Sequence, residues 1–369
     1  MTKFALSKDI MLRRSWVEIN TDTIVSNYRI FKSHLPEWQR VMAVVKADAY
    51  GHGEAVIARK LQSEGCADYA VSNIEEAVSL REAGITGQVL ILGYTPISMK
   101  EELKRYDITQ ALLNEDFASL MAGHGIKAQF AINTGMNRIG IDGDNPSDCE
   151  RIIRRYAPDF ELTGLFTHLC VADTDSGKDF TEEQIAKFRR IADSVSDLRL
   201  PYIHCMNSAG GLRYPPFGNL VRLGIILYGL KPDISNTLLP GIKPAMEWKS
   251  VISEINDVKR GGTVGYGRTF RAEEDMRLAV IPTGYADGMD RMLSNRGHVL
   301  IHGKPAPIRG RVCMDQMMVD VTGIPEAAFE DEVTILGENY TADDMAAEID
   351  TIGYEIICGI SKRVPKIYV

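Results

Sequence analysis

Ala43-Val-Val-Lys46-Ala-Asp-Ala-Tyr50-Gly-His-Gly53 is the stretch around which this 369-residue chain is organised. Residues 41–45 form a short apolar, β-branched run of the length of one buried strand, and the Gly51 and Gly53 pair breaks it soon afterwards. Lys46 therefore stands where a strand ends. An ammonium is costly to bury at the inner end of a hydrophobic strand, so burial favours the neutral amine, the nucleophile of Schiff-base chemistry. For an arbitrary Val-Val-Lys, a lysine that snorkels to water is the plainer reading. Tyr50 and the glycines change that balance, because a hydroxyl and a flexible backbone close behind an amine suit a cofactor that carries both an aldehyde and a phosphate.

Similar apolar runs recur down the chain, at residues 41–45, 69–72, 89–92, 108–113, 127–132, 162–167, 202–206 and 220–228, eight in all. Helix-like segments separate them. In the segment starting Asn73-Ile-Glu-Glu76, Asn73 reads as an N-cap with Glu76 three residues on, Ile74, Ala77 and Val78 share a face, and Gly84 lies past the end. Thr181-Glu-Glu-Gln184 repeats the device, with Ile185, Phe188 and Val195 on its apolar side. Eight alternations predict an α/β fold, a parallel (β/α)8 barrel of TIM type. A doubly wound sheet shows the same alternation, and periodicity by itself does not close a sheet.

Active groups of such barrels gather at the C-terminal ends of the strands. Lys46 ends the first run, Asn133 and Arg138 follow the fifth, His168 ends the sixth, Asn207 and Ser208 end the seventh, and Arg222 lies in the eighth with Gly224 behind it. Ser208 and the amides near Gly224 and Ile225 are donors in the loops where barrels often bind phosphate. Singly, Ser208 is a turn hydroxyl and His168 a satisfied core histidine; their shared placement at strand ends argues for function. Beyond Pro240-Gly241 the rhythm changes to short strands, at 247–255, 278–282, 298–301, 317–321 and 332–336, with a helix over 343–349. The expected division is a barrel, residues 1–241, and a smaller mostly-β domain, residues 242–369, with which the Trp16-Val-Glu-Ile19 segment is a candidate to pair.

A net charge of −8 without blocks of like charge argues against a nucleic-acid face or a polybasic membrane patch, leaving a small-molecule partner. No apolar run approaches the roughly 20 residues that span a bilayer, and residues 1–20 show no leader-like core, so a cytoplasmic protein is expected. Six scattered cysteines without a C-x-x-C pair indicate neither a metal site nor a disulfide framework.

Nine motifs, spread over both halves in order, resemble those of the alanine racemase family: Val44-Val-Lys-Ala-Asp-Ala-Tyr-Gly-His-Gly53, Asn133-Thr-Gly-Met-Asn-Arg138-Ile-Gly140, Thr167-His168-Leu169, Asn207-Ser208, Val221-Arg222-Leu-Gly224, Tyr266-Gly267, Gly284-Tyr285-Ala-Asp287-Gly288, Cys313-Met314-Asp315 and Arg363-Val-Pro365. The resemblance implies a pyridoxal-phosphate enzyme that interconverts L- and D-alanine, for cell-wall precursors, with Lys46 and Tyr266 as two bases. It implies a head-to-tail homodimer in which Tyr266, Cys313 and Met314 of one subunit face Lys46 of the other. Arg222 matches the arginine facing the pyridine nitrogen, and His168 with Arg222 the network that favours the tyrosine anion. Tyr50, Ser208, Gly224 and Ile225 match the phosphate cup, Arg138 and the Met314 amide the substrate carboxylate region, and Tyr285 the entrance.

Two departures stand out. Where many relatives carry a carbamate-modified lysine that buttresses the active-site arginine, this chain has Ala131, leaving chloride or Asn133 as candidates to position Arg138. Where relatives usually read Ser-Tyr-Arg-Val-Pro, this chain has Ser361-Lys362-Arg-Val-Pro365, so a lysine replaces an aromatic residue near phosphate and substrate. A serine or broader-specificity racemase is therefore an alternative. A same-fold decarboxylase would lack the Tyr266 base. A non-catalytic pyridoxal-phosphate-binding protein of this kind would be a barrel alone, and residues 242–369 argue against it.

Overall fold

Each of the eight apolar runs supplies a parallel strand in the computed structural model, which describes residues 14–233 and 235–369. The strands are β1 Arg40–Val44, β2 Asp68–Val71, β3 Gln88–Ile91, β4 Thr109–Leu112, β5 Lys127–Asn133, β6 Glu161–Phe166, β7 Tyr202–His204 and β8 Leu220–Leu223. They pair in chain order, and β8 returns to β1 with Leu220 beside Arg40 and Leu223 beside Ala43. Between β7 and β8 the junction is looser, made by Asn219 N–H to Ile203 O at 2.9 Å and Arg222 N–H to Met206 O at 3.0 Å. The barrel is nearly closed, which decides against a doubly wound sheet. Every residue of β2, β4 and β8 is buried, as expected of strands with side chains packed inside the barrel and helices outside.

The eighth run is strand only over its first four residues; Ile225–Tyr228 turns into a 3₁₀ segment. Asn73 caps the helix Ile74–Glu82, its Oδ1 accepting from Glu76 N–H at 2.9 Å. Thr181, by contrast, is no cap. The helix Lys178–Ser194 begins a turn earlier, and the buried Thr181 hydroxyl donates to the Gly177 carbonyl at 2.8 Å. The Thr-x-x-Gln spacing misleads there because both side chains serve other contacts.

A second unit comprises Lys243–Val369, the described residues up to Ile24 and a short piece starting at Tyr228. Its main sheet runs Lys304–Pro307, His298–Ile301, Glu332–Leu336, Met246–Val251, Ser15–Ile19, Lys366–Tyr368. Ser15–Ile19 is antiparallel to Met246–Val251, with Val17 opposite Trp248, and the fully buried Trp248 indole donates to Ser15 Oγ at 2.8 Å. Residues 247–255, expected as one strand, form two: Met246–Val251 in this sheet and Glu254–Val258 in a three-stranded sheet with Met276–Ile281 and Met317–Asp320. The helix Ala342–Ala347 starts at a capping box of Thr341 and Asp344. A second helix, Gly353–Gly359, follows it. Among the described residues no helix is long and apolar enough to cross a membrane, and no group of His, Cys, Asp and Glu could hold a metal ion.

Candidate active site

Strand β1 stops at Val44, and Lys46 opens a turn in which Ala47, Asp48, Ala49 and Tyr50 all have φ between 52° and 54°. This is the left-handed region, which disfavours non-glycine residues by roughly 1–2 kcal/mol each. The sequence signals no such turn, because its four residues include no glycine. It is held by its own hydrogen bonds: Ala49 N–H to Val45 O at 2.9 Å, Gly51 N–H to Ala47 O at 3.0 Å, and Gly53 N–H to Asp48 O at 2.8 Å. The Asp48 carboxylate accepts from Glu54 N–H at 2.9 Å.

Arg222, in β8, is buried and surrounded by acceptors. It donates to His204 Nδ1 at 2.7 Å, Thr167 O at 2.8 Å, His168 Nδ1 and Cys205 O at 3.2 Å, and His204 O at 3.3 Å. Burial lowers its pKa to about 10, so it remains a cation near neutrality. Because a guanidinium only donates, both histidines accept at Nδ1, and a neutral imidazole then carries its proton on Nε2. For His204 that proton goes to Gln129 Oε1 at 2.8 Å. Burial, and then the Arg222 charge, hold His204 well below the usual 6.5. His168 keeps an accessible edge although protein atoms surround its ring. Burial, followed by the charges of Arg222, Arg138 and Lys46, lowers its pKa to about 3. Side chains from β8, from the loop after β5 and from the turn after β1 thus all act on one neutral imidazole.

Arg138 sits on a loop that Asn133 organises. Asn133 Oδ1 accepts from Asn137 N–H at 2.9 Å and Gly135 N–H at 3.1 Å, and its Nδ2 donates to Asn137 Oδ1 at 2.9 Å. Ala131 packs into an apolar cluster with Ala111 and Phe166, bordered by Leu92, Leu113 and Ile139. Gln184 braces the floor, donating to His168 O and Thr134 Oγ1 and accepting from Cys170 N–H, all at 3.1 Å. Sequence reasoning missed Gln129, Gln184 and His204. Their one signal is a polar residue inside a buried run or helix face.

In the second unit, Asp287 gathers three motifs. Its fully buried carboxylate accepts from Arg14 Nη1 at 2.9 Å and Nη2 at 2.6 Å, pairs with Arg363 Nε at 2.8 Å, and accepts from Gly284 N–H at 3.0 Å. Tyr285 N–H donates to Cys313 O and Ala286 N–H to Met314 O, both at 2.9 Å, and Ser361 N–H donates to Asp287 O at 2.9 Å. A Cβ on Gly284 would lie 2.3 Å from Cys313 O, so only glycine lets these strands of chain touch. Tyr285, Cys313, Met314 and Lys362 are thereby brought together. Tyr266 stands in the same unit on a turn whose flanking Gly265 and Gly267 have φ of 68° and 71°, and it is 72% exposed.

Residues 19–232 match the family model described as alanine racemase, N-terminal domain, and residues 245–368 match alanine racemase, C-terminal domain. The chain belongs to the alanine racemase family. It is 40% identical to the alanine racemase of Halothermothrix orenii over 373 residues, covering 96% of this chain and 97% of that one. Among solved structures, the alanine racemase of Clostridium difficile 630 superposes with a TM-score of 0.90 at 33% identity, covering 96% of this chain and 95% of that one. The alanine racemase of Bartonella henselae, solved with covalently bound pyridoxal phosphate, has a TM-score of 0.88 at 28% identity, covering 96% of this chain and 99% of that one.

The barrel of this alanine racemase family member has a cradle that fits pyridoxal phosphate. Gly224 N–H donates to Ser208 Oγ at 2.9 Å, and a Cβ on Gly224 would come within 2.9 Å of Tyr50 Oη and 3.8 Å of Ser208 Oγ. Two hydroxyls therefore border a corner too tight for a methyl group, next to the buried Ile225 that opens the 3₁₀ segment. Gly224→Ala is expected to overpack it by about 1–3 kcal/mol, which raises the Kd for pyridoxal phosphate roughly tenfold or more. Titrating apoprotein with the cofactor by fluorescence quenching checks this; an unchanged Kd would place the phosphate elsewhere.

Proposed function

We propose that this protein interconverts L- and D-alanine with pyridoxal phosphate as resident cofactor, using Lys46 as one base and Tyr266 of the partner subunit as the other. The observation that carries this reading is the bond from Arg222 Nη2 to His168 Nδ1 at 3.2 Å, which fixes a neutral imidazole in the barrel whose first strand leads into Lys46. When bound, pyridoxal phosphate makes the Cα proton of an attached amino acid removable, by spreading the resulting charge over its ring.

The side chains supply the rest. Lys46 Nζ would hold the cofactor and, as a free amine, would move the Cα proton on one face. The partner subunit's Tyr266 moves it on the other. A tyrosine with a reference pKa of about 10 needs help to act as a base near neutrality. His168 offers that help: its Nδ1 accepts from Arg222, so its Nε2–H is a donor that stabilises a phenolate without competing for the proton. Arg222, still protonated, would hold the ring nitrogen without giving it a proton. Less charge would then be drawn into the ring, which would favour return of the proton to Cα over transfer to the cofactor. Tyr50, Ser208, Gly224 and Ile225 hold the phosphate. Arg138 and the Met314 amide orient the substrate carboxylate, with Cys313 beside it and Tyr285 at the entrance. Lys46 and Tyr266 lie in different units of the chain, and a head-to-tail homodimer would join them. The setting is cytoplasmic, the product a D-amino acid for cell-wall precursors.

Borohydride reduction of the holoenzyme should leave a pyridoxyl group on the Lys46 peptide, and incubation with L-alanine should yield D-alanine. An adduct on another lysine, or no D-alanine from cofactor-loaded protein, would sink the proposal.

Lys362 favours a second substrate. Arg363 turns to Asp287 and Asp315, while its neighbour Lys362 is exposed, at the position where the family resemblance implies an aromatic ring. A flexible ammonium leaves a roomier, more polar pocket, and an apolar pocket rejects one added hydroxyl by only about 100-fold in any case. L-Serine is therefore expected to be racemised beside L-alanine, with Lys362→Tyr shifting the ratio of kcat/KM toward alanine. An unchanged ratio would leave Lys362 a phosphate contact only.

A further inference from the structure

Glu76 occupies the third position of the helix Ile74–Glu82, where a capping-box carboxylate would return to the N-cap's own N–H. It goes elsewhere. Its Oε1 accepts from Ala47 N–H at 2.8 Å and its Oε2 from Ser72 N–H at 2.7 Å. One carboxylate thus ties the residue directly after Lys46 to the end of the neighbouring strand β2. Asn73 fixes the base of this tie, because its Oδ1 accepts from Glu76 N–H.

We propose that Glu76 is a positioning residue for Lys46: its carboxylate fastens the entry of the left-handed turn and so aims the lysine amine into the barrel mouth. The turn's later amides, those of Ala49, Gly51 and Gly53, donate to carbonyls within the turn. Ala47 N–H, at its entry, donates to Glu76 instead. Ala47 is the first of the four residues held in a conformation that alanine disfavours, so the bond acts where the chain would otherwise relax toward extended backbone. Relaxation there would swing Lys46, the adjacent residue, away from the groups it must meet. A carboxylate suits the task because it presents two acceptors at once, and both N–H groups it receives are backbone groups with fixed directions.

The inference rests on Lys46 being the lysine that carries pyridoxal phosphate, and its test separates the two. Apoprotein is mixed with pyridoxal phosphate, the rate of covalent capture is followed by visible absorbance, and the borohydride-fixed adduct is located by mass spectrometry. Glu76→Ala is expected to slow capture about tenfold or more and to lower kcat for L-alanine similarly, with KM within about twofold. Glu76→Gln keeps one acceptor and should fall between; it also carries the test if the alanine variant does not fold. Adding Ala47→Gly to Glu76→Ala should recover most of the rate, because glycine adopts positive φ without a clamp. A role in fold stability alone would show as a lower Tm that Ala47→Gly leaves unrepaired. Capture by Glu76→Ala or Glu76→Gln at the wild-type rate, or no recovery with Ala47→Gly, overturns the inference while leaving Lys46 in its role. A wild-type adduct on another lysine overturns the functional reading itself.

Discussion

Tyr266→Phe is expected to slow racemisation by about 100- to 10,000-fold, the range for loss of a proton-transfer group, and to do so unevenly. Only a phenolic oxygen is removed from a ring that is largely exposed in the chain, so the fold loses nothing and the Tm should not move. With two bases, one enantiomer would give up its Cα proton to the lost oxygen and the other to Lys46, which remains. Deuterium wash-in from solvent, measured for each enantiomer separately, should therefore collapse for one and persist for the other. Equal residual exchange from both would point to a single base. Mixing this variant with Lys46→Ala chains adds a geometric arm. If bases meet across subunits, hybrids contain one intact site and regain activity, whereas no recovery in demonstrated hybrids would place both bases within one chain.

The barrel was legible because burial on both faces writes strands as continuous apolar runs, and Lys46, His168 and Arg222 stand out as polar residues at or near their ends. Legibility failed where side-chain chemistry serves distant partners. Glu76 carries the spacing of a capping box, but its carboxylate crosses to the Lys46 turn. Thr181 carries the same spacing and sits inside a helix. The left-handed turn could not be foreseen, since Ala-Asp-Ala-Tyr has no intrinsic taste for positive φ and is held there by its surroundings. Residues 247–255 have the composition of one long strand; that they divide between two sheets depends on which strands arrive to pair, which no local pattern encodes. Arg14 lies before any element that the sequence announces, and its role appears only with the buried Asp287 carboxylate it meets.

Arg222→Gln is expected to lower kcat roughly 100-fold or more, since a preorganised charge is removed from a dry site. Its pH dependence should identify the cause. In the wild type His168 stays neutral down to about pH 3, because burial comes first and the Arg222 charge second among the influences that oppose its protonation. Removing the cation leaves burial in place and lifts the second influence, so the imidazole takes up a proton at higher pH. If the partner subunit's Tyr266 is the second base, as proposed, an imidazolium there would give its phenolate a proton and quench it, so the acid limb of kcat/KM should move to higher pH. Stability should change in the opposite sense along the same axis. Near neutrality the variant is weaker, because the Thr167 and Cys205 carbonyls and His204 Nδ1 lose a donor, at about 1–3 kcal/mol for each buried group left unsatisfied. In acid the wild type is the more sensitive: with both histidine pKa values held below 6.5 in the fold, the unfolded chain binds the extra protons, and stability falls as pH drops through 6.5. Those folded-state values sit higher in Arg222→Gln, the difference in proton uptake shrinks, and the loss of Tm between about pH 7 and pH 5 should be smaller than in the wild type. An acid limb and a Tm slope identical to those of the wild type would mean that the Arg222 charge does not govern either imidazole, and that its contribution is confined to the hydrogen bonds that close β7 against β8.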